Sequence, residues 1–525
     1  MDPSEWLLTK PERGNPTTVL DARHEGDQAW STGNLVRPLI HGATYFPRLH
    51  EAVEAARPGD LVLFTDWQGD ADERLTGEPG SEVVEVFGRA DERGVDVRGL
   101  VWRSHSDLTG FFAEENRHFG EQLQHRGAEV LLDMRVRTGG SHHQKFVVIR
   151  YRDDPSRDVA FVGGMDLAHN RRDDADHGGD PQPQPLTKEY GEHPPWHDVQ
   201  VEIRGPAVYD VETVFREHWE DPTPLSRSPL RKLVDLWRHH DTSPDGLPDQ
   251  APPPPEAGPH TVQLLRTYPN LRHGRDYPFA RGGERSVARG YSKAVARAER
   301  VVYVEDQYFW GHDVAECFET SLREHSELRV IVVIPLVPDI AGVNRVPQYL
   351  GRERAIARLA NVAPGRVAAY GLENQAGTPV YVHAKVCVVD DIWASTGSDN
   401  FNRRSWTHDS ELSAVVLDAD YARDLRLTLA AEHLDRLPEV AERGLHEVMA
   451  DCHDAATMFD LYAESAARLE AWHAGGRAGD RPPGRLRPIP LPPLSRVTRM
   501  WATFPLDVVH DPDGRPAPLR KTSRY

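Results

Sequence analysis

The stretch Tyr381–Glu411, YVHAKVCVVDDIWASTGSDNFNRRSWTHDSE, decides the reading of this chain. His383, Lys385 and Asp390 make the pattern H-x-K-x-x-x-x-D, and Gly397-Ser398-Asp399-Asn400 and Asp409-Ser410-Glu411 follow downstream. The apolar alternation in VHAKVCVVD is that of a strand, and a strand puts His383 and Lys385 on one face. An imidazole beside an ammonium suits attack on a phosphate whose charge is held. In a single copy, a core strand that happens to carry both residues would look the same.

A second copy lies at residues 142–167, HHQKFVVIRYRDDPSRDVAFVGGMDL. His143 and Lys145 repeat the pair, and Gly163-Gly164-Met165-Asp166 repeats the later turn. The offset is 383 − 143 = 240, and two strand-end acids, Asp66 and Asp306, differ by the same 306 − 66 = 240. Two landmarks at one offset predict an internal duplication. Phosphodiester cleavage needs a nucleophile, an acid for the leaving alkoxide, and positive charge around the phosphate. Two halves together supply two imidazoles and two ammoniums. One neutral imidazole attacks phosphorus and forms a phosphohistidine. The other, protonated, serves the leaving alcohol and then activates water or a second alcohol. Lys145 and Lys385 hold the non-bridging oxygens. The chain shows no metal-ligand spacing, so the reading assigns no metal and no cofactor.

The paired H-x-K motifs resemble the phospholipase D superfamily. WHDVQVEIRGPAVYDVETVFREHW (196–219), EDQYFW (305–310) and GSDNFNRRS with DSE (397–411) are similar to segments of its phospholipase D branch, and the resemblance spans roughly residues 35–435. It implies an α/β fold: two duplicated phospholipase D-like α/β sandwich halves packed around one active site, with a helical C-terminal extension. It implies that His143 is the nucleophile and His383 the acid, with Asp198 the partner of His143 and Glu411 that of His383. It places Asn400, Ser398 and Gly164 at the phosphate, with Asp390 and Asp166 in support. One departure stands out. The first motif should carry an acid at position 150 and has Arg150, with Asp153, Asp154 and Asp158 as candidate substitutes.

The totals bound the rest. A net charge of −20 weighs against a nuclease, which usually presents a basic face. The three cysteines, Cys317, Cys387 and Cys452, are too scattered for a disulfide framework or a metal site. The start MDPSEWLLTKPERGNPTT does not read as a secretory signal, and no stretch approaches the ~20 apolar residues of a membrane span. The expected location is cytoplasmic, with peripheral membrane contact and a monomeric state.

Strands at 61–67, 95–102 and 128–135 alternate with helices at 45–60, 82–93 and 111–126, which is α/β layering. The expected divisions are an N-terminal segment 1–40, a first half 41–221, a Pro-rich linker 222–260, a second half 261–437, C-terminal helices 438–475 and a loose Pro/Arg-rich tail 476–525. In the loop 169–195, a rim over the pocket, Asp173, Asp174, Asp176, His177 and Asp180 fit no ligand spacing and read as a solvated charge run. The expected function is hydrolysis or transphosphatidylation of glycerophospholipids without metal. A nuclease or other phosphodiesterase and a catalytically silent phospholipid-binding protein are the alternatives.

Overall fold

The computed structural model describes residues 2–105, 113–238, 240–271 and 276–525. In chain order the strands of the first half are β1 (Ser31–Ile40), β2 (Leu61–Asp66), β3 (Asp96–Trp102), β4 (Glu129–Asp133), β5 (Phe146–Arg150), β6 (Val159–Gly163), β7 (Trp196–His197) and β8 (Val199–Arg204). Then follow β9 (His260–Tyr268), β10 (Glu284–Arg285), β11 (Val301–Glu305), β12 (Arg329–Val333), β13 (Val367–Glu373), β14 (Pro379–Val382), β15 (Val386–Val389), β16 (Trp393–Gly397), β17 (Glu411–Leu417) and β18 (Leu486–Pro488).

The backbone repeats as the sequence does. The first sheet runs β4-β3-β2-β5-β6-β8-β1. The second runs β13-β12-β11-β15-β16-β17-β9 in the same order. Register repeats too: Val62 faces Ile149 and Val302 faces Val389, each pair displaced by 240. The two sheets join where β1 pairs with β9.

Side-chain alternation then builds the layers. Leu61, Leu63, Phe146 and Val148 enter a central core shared with Val301, Tyr303, Val386 and Val388 of the other sheet. Their neighbours Val62, Phe64, Val147 and Ile149 face the outer helices of the first half. Val302, Val304, Cys387 and Val389 do the same in the second. Strands buried on both faces explain the unbroken apolar runs in the sequence. Each large side chain there contributes on the order of 1.5–3 kcal/mol of transfer free energy.

The helix expected over 111–126 runs Ala113–His125, and positions 111 and 112 lie outside the described residues. The segment read as a linker, 222–260, holds a helix, Pro229–Arg238, whose Asp235 takes a two-pronged ion pair from Arg103. The C-terminal helix Ala455–Ala474 sends Met458, Phe459, Tyr462 and Ala466 into the central core.

The tail is packed rather than loose. β18 pairs with β13, and the helix Arg496–Pro505 lies on the helix Val346–Val362. Its Arg-rich composition reads as disorder, yet Arg487 pairs with Glu373 and Glu470, Arg485 with Asp435, and Arg515 with Asp313. No helix among the described residues is long and apolar enough to cross a membrane.

Candidate active site

His143 and Lys145 lie just before β5, and His383 and Lys385 just before β15. Each lysine folds back to donate to the main-chain oxygen of its own histidine, His143 (3.0 Å) and His383. The acids come from the equivalent point of each half, where Asp198 immediately precedes β8 and Glu411 opens β17. Gly164 N donates to Val199 O, and Ser398 N to Leu412 O, which makes 198 and 411 matching positions.

The structure pairs these groups across the halves. His143 Nδ1 lies 2.9 Å from Glu411 Oε2, and His383 Nδ1 lies 2.7 Å from Asp198 Oδ2. This corrects the expected assignment of Asp198 to His143 and Glu411 to His383. The reason is main-chain pairing between halves. β7, leading into Asp198, runs parallel to β14, which leads into His383. His142 likewise bridges Ser410, the neighbour of Glu411. His383 N donates to His197 O at 2.7 Å, and His143 N donates to Ser410 O at 2.9 Å. Each histidine is therefore seated on the strand that delivers the other half's acid.

The site is dry. The side chains of His143 and His383 are 12% and 7% exposed, and both acids are fully buried. Burial, with Lys145 and Lys385 nearby, holds His143 well below the ordinary histidine range. Burial, Lys385 and Arg171 do the same to His383. Each lysine therefore acts on both imidazoles, which brings the two H-x-K pairs into one electrostatic site. Burial takes the Lys385 ammonium down to about 8. Burial and Asp409 push Glu411 up to about 8, and burial raises Asp198. Such a site, rich in cations and short of solvent, is suited to an anion. With Nδ1 committed to an acid, Nε2 is the ring nitrogen left for the chemistry.

Other expected residues take different places. At Gly164 a Cβ would sit 2.2 Å from Asp198 Oδ1, so the glycine gives the acid its room. Ser398 Oγ donates to Glu411 Oε2 at 2.6 Å and accepts from Leu412 N, so its hydroxyl orients an acid. Asn400 is buried with its Oδ1 unpartnered among the described residues. Asp166 lies 3.4 Å from Lys145 and 3.1 Å from Arg171. Burial pushes Asp166 up, but those two cations outweigh it and hold the carboxylate ionised.

Asp390 belongs to a turn. Its carboxylate accepts from the amides of Glu299, Arg300 and Val301 at the start of β11, and its own φ is 53°. It supports the strand end and not the reacting groups. Arg150, at the matching position, pairs with Asp158 (2.8 Å) and Glu212 (2.5 Å) and donates to the carbonyls of Ala251 and Pro252. Asp158 thus binds Arg150 rather than standing in for a motif acid.

Two things escaped the sequence reading. Arg171, 5% exposed, packs over the Trp196 ring at 4.4 Å and donates to Gln68 and Asp166. The signal was present, because Asn170-Arg171-Arg172 repeats as Asn402-Arg403-Arg404 after the second turn. The charge run of the loop is also not solvated throughout. Asp173, His177 and Asp180 are buried, and the two aspartates accept backbone amides of Trp196, Gly179, Arg172 and Gln182.

Family comparison rests on more than these motifs. A family model described as Phospholipase D matches residues 61–341, over half of the chain. The chain belongs to the phospholipase D family. A second model, Cardiolipin synthase, PLD-like domain, matches residues 347–431. Phospholipase D alpha 1 of Cynara cardunculus is 23% identical over 527 residues, covering 74% of this chain and 63% of the relative. Phospholipase D beta 2 of Arabidopsis thaliana is 25% identical over 543 residues, covering 76% and 57%. The chain thus spans less than two thirds of the length of these phospholipase D relatives. A solved phosphatidylserine synthase from Haemophilus influenzae aligns over 84% of this chain and 94% of its own, with 15% identity and a TM-score of 0.49. A polyphosphate kinase from Porphyromonas gingivalis aligns with a TM-score of 0.39, 11% identity, and coverage of 81% and 53%.

Proposed function

We propose that this chain is a phosphodiesterase of the phospholipase D type that cleaves or exchanges the head group of a glycerophospholipid through a phosphohistidine. The observation that carries the reading is the pair of buried imidazoles, each held at Nδ1 by an acid from the other half and each flanked by a lysine. His143 Nε2 attacks phosphorus, and Glu411 steadies the charge that grows on the ring. Lys145, Lys385 and Arg171 stabilise the equatorial oxygens. In the free site burial and the nearby cations favour the neutral form of both rings. A bound phosphodiester anion offsets them, and His383 can then carry the proton that the leaving alcohol needs. The deprotonated His383 afterwards takes a proton from water or from an alcohol acceptor, which attacks the intermediate and frees His143.

The reaction halves in this reading are residues 31–221 and 260–437, because β1 and β9 open before the expected bounds of 41 and 261, and the C-terminal helices and tail brace the second. The substrate lies in a bilayer, so the body must approach one. The helix Arg496–Pro505 and the turn after it leave Val497, Met500, Phe504, Val508 and Val509 exposed, and Val509 O accepts from Arg404, the ion-pair partner of Asp409. An apolar face with arginines beside it suits a bilayer interface. The silent alternative loses its support, because Arg150 is engaged in ion pairs outside the reacting groups.

The deciding experiment offers phosphatidylcholine, phosphatidylethanolamine, phosphatidylglycerol, cardiolipin and single-stranded DNA separately, each with and without a primary alcohol. The expected result is phosphatidic acid from a lipid and a phosphatidyl alcohol when alcohol is present. Cleavage of DNA alone, or no phosphohistidine on a trapped enzyme, would remove the reading.

A further inference from the structure

Behind the reacting strand lies a second cluster that the proposed chemistry does not use. His41, His177 and His197 surround the Glu432 carboxylate. His41 Nε2 lies 2.7 Å from Oε2, and His177 Nε2 and His197 Nδ1 lie 3.0 and 3.1 Å from Oε1. The four ligand atoms fall within 4.8 Å of one another, and all four residues are buried. The three rings meet edge to face, with centroids 5.0 to 5.6 Å apart. The residues come from four separate segments and both halves, so no ligand spacing shows in the sequence.

The outer nitrogens decide how the cluster is used. His177 Nδ1 faces the Trp196 carbonyl at 3.1 Å, and His197 Nε2 faces Glu305 Oε2 at 2.7 Å. A carbonyl and a carboxylate only accept, so each outer nitrogen must carry a proton. If the inner nitrogens also donated to Glu432, His177 and His197 would both be imidazolium, with centroids 5.6 Å apart in a dry core. One cation at the centre removes that requirement. Each ring is then neutral and gives its inward lone pair to the ion, while His177 and His197 also donate outward to fixed acceptors, the usual support of a metal-bound histidine.

The backbone points the same way. His41 sits at φ 67°, ψ 155°, a region nearly reserved for glycine, and His177 has φ 55°. Two of the three rings are aimed from left-handed backbone.

We propose that His41, His177, His197 and Glu432 bind one divalent cation of the zinc class, as a closed structural site. Three imidazoles and one carboxylate suit tetrahedral zinc, with bonds of ~2.0–2.2 Å. A small outward shift of the present N–O contacts would seat the ion. One divalent ion offsets Glu432 and Glu305 with every ring neutral, and the remaining carboxylate, Asp173 at 3.7 Å from His177 Nδ1, is held by the amides of Gly179 and Trp196. The ion lies off the phosphate and pins His197, whose carbonyl seats the His383 amide, while the Asp198 carbonyl accepts the His41 amide at 2.9 Å. It therefore ties the two halves together at the strand that carries the acid.

The test uses the full chain, produced without a histidine tag in medium holding zinc, and elemental analysis of the purified protein. The expected content is about one zinc per chain, lost in His177→Asn and kept in His142→Asn, a control in the separate Asp133, His142, His218 cluster. If His177→Asn does not fold, wild-type protein grown with cobalt takes its place. It should show the intense visible bands of tetrahedral cobalt, with X-ray absorption fitted by nitrogen and oxygen neighbours and no sulfur. Folded wild-type protein with under about a tenth of an ion per chain would overturn the proposal, as would zinc lost from His142→Asn but retained in His177→Asn.

Discussion

Replacing Asp198 by Asn tests the exchange of acids between halves. Asp198 Oδ2 lies 2.7 Å from His383 Nδ1, and both groups are buried, so solvent cannot replace the lost interaction. Breaking one side of a buried, charge-assisted pair costs about 3–5 kcal/mol. At 1.36 kcal/mol per decade that is a factor of roughly 10²–10⁴ in any step that needs the His383 proton. The assay compares a lipid having an ordinary alcohol head group with one having p-nitrophenolate, which departs without a proton. Asp198→Asn should lose the full factor on the first, yet still label His143 on the second. Glu411→Gln should weaken labelling of His143 on both, because Glu411 supports the attacking ring. Peptide mapping of the trapped enzyme first establishes which histidine carries phosphate. Labelling that depends on the acid from the same half as the labelled histidine would refute the cross-half argument, whichever histidine that is.

Other outcomes follow from the same geometry. Lys385, brought down to about 8 by burial, is charged below that pH and neutral above it, so its discharge should lower kcat/KM as pH rises through about 8, against the gain from Glu411 ionising over the same range; Lys385→Arg should remove the falling limb, since a guanidinium stays charged. A pH profile of the two enzymes checks this. Arg171→Ala should lower kcat/KM by about 10–10²-fold with partial recovery in Arg171→Lys, because Asp166 would then draw Lys145 away from the phosphate. An unchanged kcat/KM would remove Arg171 from the site. Arg150→Ala should cost about 3–5 kcal/mol in denaturant unfolding, by removing the ion-pair partner of Asp158 and one of the two of Glu212, which keeps Arg216, with little change in kcat of the folded fraction. A large kcat loss in fully folded protein would return position 150 to the chemistry.

The duplication, the α/β layering and both H-x-K pairs were legible because strand periodicity and a constant offset are local, additive signals. Asp198 and Glu411 were legible as acids but not as partners. A motif states what residue is present, whereas pairing depends on β7 meeting β14 and His142 meeting Ser410. Asp390 and Arg150 sit at matching positions with opposite charge, and only the coordinates show that both are hairpin-end residues. Gly164 and Ser398 were placed beside phosphate by analogy, and nothing local in the sequence showed that both also touch the acids. The tail defeated composition, because each of Arg485, Arg487 and Arg515 finds a carboxylate that no local pattern reveals. The four-residue histidine cluster had no signal at all, since its members lie up to 391 positions apart.

The exchange of acids also makes heredity in this chain non-local. A change in the first half's acid is felt on the second half's histidine, and the reverse, so neither copy can drift alone. The two copies are related as the subunits of a symmetric dimer would be, with each subunit completing its neighbour's reaction centre. One polypeptide fixes their ratio, and on the proposed mechanism it lets one ring take phosphorus and the other the protons.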